Sequence, residues 1–149
     1  MLGLLAVKSW SQDYHLPVNA ITEKIYLDGK LDEAAWKEAP LVGDFQMNQP
    51  FDSLPAALPT EVRVLQDDRF LYIAATCHSV PKEEFIIQSL KRDFDLWRNE
   101  SFAIFLDAFS DANSGLAFAV NAFGAQMDAI IPRGGTRGLS ESWDALWEA

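Results

Sequence analysis

Few residues in this chain are equipped for covalent chemistry. A Ser/His/Asp or Cys/His set needs a histidine aimed at its nucleophile, and only His15 and His78 exist. Cys77 and His78 are neighbours at the end of a β-rich run, so their side chains point to opposite faces and make no dyad. No Cys/His cluster has zinc-ligand spacing. Carboxylates are plentiful, at twenty-two Asp and Glu. Glycoside hydrolysis requires two of them facing each other across a cleft, about 5–10 Å apart. Glu100 and Asp107 are the first pair to consider, against the plainer reading of a solvated acidic rim. Asp107, Asp111 and Asn113, with Asp128 on a neighbouring strand, form a candidate calcium site by density of oxygen ligands. Their spacing is not that of an EF-hand, and Asp111, Asn113 and Gly115 also suit an ordinary strand connection.

Aromatic rings are the other resource. Sugars present flat faces of C–H bonds on which exposed indoles pack, while amides, carboxylates and guanidinium groups bond the hydroxyls. Of five tryptophans, Trp36 reads as core packing on a helix, and Trp10 belongs to the N-terminal run. Trp97, Trp143 and Trp147 remain as candidate platforms. Trp97 stands in "DLWRNESFAIFLD", among charged and amide side chains just before an apolar run.

Composition narrows the partners. With 149 residues and 49% hydrophobic content, the chain suits one domain with a core. A net charge of -10 repels phosphate backbones and anionic lipid headgroups, which argues against nucleic acid and membrane-surface binding. It also makes "RGGTRG" a loop rather than a phosphate contact. Neutral sugars and hard cations are compatible with such a surface. The lone Cys77 has no internal disulfide partner. The apolar run "LGLLAV" followed by "KSWSQ" reads as a remnant of a secretory signal peptide over residues 1–11, against the plainer reading of a short apolar strand. No other segment has the length to span a bilayer.

The elements that must position these residues are mostly strands. "KIYLD" (24–28) has strand composition and Gly29 supplies a turn; "LDEAAWKEA" (31–39) is one short helix stopped by Pro40. A proline-punctuated excursion follows, with one strand near "GDFQM". "EVRVLQ" (61–66) and "FLYIAAT" (70–76) form the clearest hairpin, around "DDR". "SFAIFLD" (101–107) and "LAFAVNAF" (116–123) pair across "AFSDANSG", and "QMDAII" (126–131) is another strand. The final "WDALWEA" alternates, with Trp143, Ala145 and Trp147 on one face. The expected fold class is all-β: an antiparallel β-sandwich with one short helix near the N-terminus, incomplete at the C-terminus.

The stretches "IYLDGKLDEAAWKEAP", "TEVRVLQDDRFLYIAATCHS", "RNESFAIFLDAFSD" and "FAVNAFGAQMD", in this order, resemble the family 9 carbohydrate-binding modules over residues 21–149. More narrowly, they are similar to the variant at the N-terminus of large secreted or outer-membrane proteins of Bacteroidetes-type bacteria. The resemblance implies a β-sandwich that binds sugar chains, carries structural calcium and is not itself catalytic. It matches Trp97 to the first of two tryptophans that enclose the sugar. A glutamate of the sugar-binding members falls on Ala103, and an arginine-x-asparagine pair falls on Ala119 and Asn121. Losing the Glu and Arg removes charge-assisted hydrogen bonds, each worth about 1.5–3 kcal/mol.

The expected function is therefore a non-catalytic carbohydrate-binding module of a secreted, periplasmic or outer-membrane-associated protein, with Trp97, Asn121, Trp143 and Trp147 at the sugar. Its partners would be an oligo- or polysaccharide and further domains of the same polypeptide. The alternatives are a structural or docking domain that has lost the sugar site, and part of a glycoside hydrolase.

Overall fold

The computed structural model describes residues 15–48, 50, 54–79, 85–111, 113–132 and 138–149. The apolar run read as a leader, and most of the "RGGTRG" loop, lie outside these residues. The architecture is all-β and sandwich-like, with two sheets and one short α-helix among the described residues. No helix among the described residues is long and apolar enough to cross a membrane.

The first sheet is organised by β3 (Thr60–Gln66), which pairs antiparallel with β4 (Leu71–Cys77) along its whole length. Its other edge takes two short strands in turn: β1 (Asn19–Ala20) against Leu65–Gln66, and β2 (Leu41–Val42) against Val62–Arg63. The β1 pair is parallel, a departure from the all-antiparallel expectation. β-branched residues on β3 suit a strand covered on both faces: Val62 and Val64 are buried on one side and Leu65 on the other. Asp67 closes the hairpin. Its Oδ1 accepts the N–H groups of Arg69 and Phe70, both at 2.7 Å, and its Oδ2 accepts the Tyr72 hydroxyl at 2.8 Å. The Arg69 N–H first, and then the Tyr72 hydroxyl, hold the Asp67 carboxyl below the usual aspartate range; the same bond raises Tyr72.

Helix α1 (Ala34–Glu38) lies over the Leu65 side of this sheet. It buries Ala35 and Trp36, which join Ile25, Ala39, Leu65 and Ala74 in the first core. The Ala35 N–H donates to Glu23 Oε2 at 3.1 Å, so a carboxylate eleven residues before the helix satisfies one of its free N-terminal donors. Pro40 follows the helix, which ends where expected. "KIYLD" is not a strand; Ile25 is buried from an irregular segment, and only the Gly29 turn, at φ +77°, matches expectation. In place of a strand at "GDFQM" there is an isolated bridge between Gln46 and Pro55.

The second sheet is an antiparallel meander of β5 (Ser101–Leu106), β6 (Gly115–Asn121) and β7 (Gln126–Ile131). Gly115 is required by close approach: a Cβ there would lie 2.8 Å from the Leu106 carbonyl oxygen. One face of the meander is a carpet of small side chains, Ala117, Ala119 and Ala129 with Met127, and Phe94 fills the hollow above them. Burying such a ring contributes roughly 1.5–3 kcal/mol. Phe118 and Asp128, opposite one another in register, share the other face.

Candidate functional site

The best-presented side chain with binding potential is Trp97. It sits in a 3₁₀ turn, Leu96–Arg98, immediately after buried Phe94. Asp95 Oδ1 accepts the Trp97 N–H at 3.0 Å, and the Asp95 carbonyl accepts from the Arg98 N–H and from Asn99 Nδ2. Asn99 Oδ1 in turn accepts the N–H groups of Gln88 and Ser89, and the Glu100 N–H donates to the Ile86 carbonyl. Residues 86–89 are thereby stapled to the turn. Leu96 packs toward the alanine carpet, and the next residue is turned outward: Trp97 is 82% exposed. An indole left this open on a turn fixed by six hydrogen bonds is a presented surface rather than a core residue. Ile86, Leu90 and Phe123 are also exposed.

The positions that the resemblance aligned with a sugar-gripping glutamate and arginine do fall together. Ala103 pairs with Ala119, and Ser101 with Asn121. That face, however, is the one covered by Phe94 and Leu96; Ala119 is 1% and Asn121 4% exposed. The Asn121 amide is occupied. Its Oδ1 accepts the Phe123 and Ala125 N–H groups, closing the β6–β7 turn, and its Nδ2 donates to the Ser89 carbonyl. It holds the segment that supports Trp97, from beneath.

Trp143 and Trp147 lie on the opposite face, each edge-on to Phe118 with centroids at 6.1 and 5.3 Å. They are half-buried. "WDALWEA" forms no strand, yet its alternation is real: Trp143, Ala145 and Trp147 turn inward while Asp144, Leu146 and Glu148 face solvent. What fixes it is Asp128, which has no exposed surface. Asp128 Oδ2 accepts the Ala145 N–H at 2.6 Å, and Oδ1 accepts Trp147 Nε1 at 3.2 Å and the Arg92 guanidinium. Arg92 also reaches Asp144 and Gln126. Arg92 and Phe94 are two residues apart but serve opposite faces of the sheet. Asp93 between them is left-handed, at φ 58°, with its N–H bonded to the Gln126 carbonyl; this reverses the normal alternation and lets the chain straddle the β7 edge. Sequence reasoning missed Arg92. The available signal was Asp128 itself, a charge inside an apolar strand that demands a counter-charge.

Of the four candidate calcium ligands, Asp107, Asp111 and Asn113 lie together in one connection and Asp128 lies apart from them. Asp107 and Asp111 serve the β5–β6 connection: Asp107 Oδ1 accepts from the Phe109 and Asp111 N–H groups, and Asp111 from Asn113, Ser114 and the Ser114 hydroxyl. Asp128 lies opposite Phe118 in mid-strand, engaged by Arg92. Among the described residues no group of three or more His, Cys, Asp or Glu is arranged to hold a metal ion. Glu100 and Asp107 bracket β5 at its two ends, about 23 Å apart at ~3.3 Å per residue. That exceeds the separation of a glycosidase pair. Cys77 is exposed at the end of β4, and His78 lies 3.8 Å from Glu61 instead.

Compared with known proteins, the chain matches no family model, no curated protein and no solved structure.

Proposed function

We propose that the chain is a non-catalytic carbohydrate-binding module of a secreted or outer-membrane-associated protein, with Trp97 as its stacking platform. The observation that carries this reading is the 82% exposure of Trp97 on a turn held rigid by Asp95 and Asn99. A ring fixed before binding loses little rotamer freedom when a pyranose face settles on it. Exposed Gln88, Arg98 and Glu100 beside it supply donors and acceptors for sugar hydroxyls. With alanine at positions 103 and 119 and the Asn121 amide already engaged, such binding rests on stacking and is weak. Titration with xylo- and cello-oligosaccharides, followed by tryptophan fluorescence, should give a saturable response that Trp97→Ala removes. An unchanged response in Trp97→Ala would overturn the assignment.

A second reading, a docking domain without a sugar site, is favoured by one specific observation. Asn121 is buried and used entirely in holding the fold. Under that reading no oligosaccharide perturbs the tryptophans, and Trp97→Ala weakens association with another domain of the same polypeptide.

A further inference from the structure

We infer that the outer edge of β5 is a strand-addition site that accepts one extended segment of a partner polypeptide, apolar at alternate positions and bracketed by basic residues. The inference shares Glu100 with the sugar platform but does not rest on Trp97.

β5 is an outer strand of the second sheet. Asn121 turns its N–H and C=O toward Ala125 and Gly124, on the β7 side. Its partner Ser101 is therefore in a pair without mutual hydrogen bonds. The alternation of an antiparallel ladder then places the N–H and C=O groups of Ser101, Ala103 and Phe105 on the outer side of β5. Among the described residues none bonds to them. The opposite edge of the sheet is treated differently: the Asp93 N–H bonds to Gln126, and Ser140 bridges to Ile130 in both directions.

Exposed edges are normally blunted by a charge, a proline or a bulge within the strand. "SFAIFL" has no charge and no proline, and its register with β6 runs unbroken from Ser101 to Leu106. Its side chains are apolar on both faces. Phe102, Ile104 and Leu106 are only half-buried, and Phe105 is 52% exposed. Among the described residues this strand has no neighbour paired along its outer side, and the groups it offers, backbone donors and acceptors at every second residue, are matched only by another extended backbone.

Charge selects which one. Glu100 and Asp107 bracket the strand, on a chain of net charge -10. A second copy brings a further net charge of -10 to this edge, which is repulsive. A strand with lysine or arginine at its ends meets opposite charge instead and is steered toward the edge by the overall field.

The test uses the full chain and three synthetic peptides: one alternating valine and threonine with lysine at both ends, the same with glutamate ends, and the lysine-ended one N-methylated at alternate residues. The lysine-ended peptide should slow amide exchange at Ala103 and Phe105 by roughly tenfold or more and leave Phe102 and Ile104 little changed. The glutamate-ended peptide should bind about tenfold more weakly at low salt, and N-methylation should abolish protection. Absence of protection by any peptide would overturn the proposal, as would protection that survives N-methylation or is equal for both end charges. Protection that grows with protein concentration alone would assign the edge to a second copy.

Discussion

In the first sheet Leu65 is covered by Trp36, Ile25 and Ala74, an apolar cluster whose nearby polar groups close turns and cap the helix. The second sheet has an apolar face of the same kind under Phe94, but on its other side a carboxylate with no exposed surface lies in mid-strand. Asp128 draws in Arg92, 36 residues before it, and Ala145 and Trp147, 17 and 19 residues after it. The difference lies in directionality. Apolar burial is roughly proportional to area and tolerates small shifts. A buried carboxylate is satisfied by particular donors and costs heavily when one is missing, so it fixes where distant segments must lie.

That contrast can be broken experimentally. The largest effect is expected where burial alone acts. Phe94→Ala should cost about 4 kcal/mol, since the surrounding alanines cannot collapse into the space of a lost ring; urea denaturation measures it. A cost under about 1 kcal/mol would mean that the hollow closes over. Asp128→Ala comes next, at about 3 kcal/mol, because it strands the Ala145 and Trp147 donors while Arg92, partly exposed, recovers some hydration. The same variant should red-shift Trp147 fluorescence as the C-terminal segment lifts from Phe118, whereas Phe94→Ala should leave that contact in place below its unfolding transition. If both variants unfold with unchanged Trp147 emission, the clasp does not hold the segment.

The smallest effect concerns the turn of the first sheet. Asp67 titrates below the ordinary value of 3.8 when folded, so its contribution is present above that pH and is lost as pH falls through the lower, folded value. Tyr72 is raised above 10.0, so its share is present below pH 10 and lost above the folded value. Proton-detected titration of both side chains checks the pair. An Asp67 midpoint at or above 3.8 would show the hairpin turn to be open in solution.

Much of the fold was legible because its signals are local. The β3–β4 hairpin, β7 and the single helix follow from β-branched runs, a short turn and a proline stop. "KIYLD" was misread because strand composition also describes a segment that buries one residue, Ile25, and leaves Tyr26 and Leu27 exposed. "WDALWEA" keeps the alternation read from its sequence without being a strand, because that alternation is held by a side-chain carboxylate rather than a backbone ladder. The site divides similarly. The exposure of Trp97 was foreshadowed by its polar lead-in, Asp95 to Glu100. The burial of Asn121 was not, because the segment carrying Ser89, which covers it, is 32 residues away in sequence.

Taken alone, the order of residues determined which stretches extend, where they turn, and that Trp97 stands outside an apolar run. It also left every acid equally eligible for chemistry. Only the tertiary structure decided that Asp128 is a clasp, that Asp107 and Asp111 close a turn, and that Trp143 and Trp147 pack against Phe118. The physical reason is range. Propensity and alternation act between neighbours along the chain, whereas the partner of a buried charge is set by whichever donor the folded backbone brings within about 3 Å.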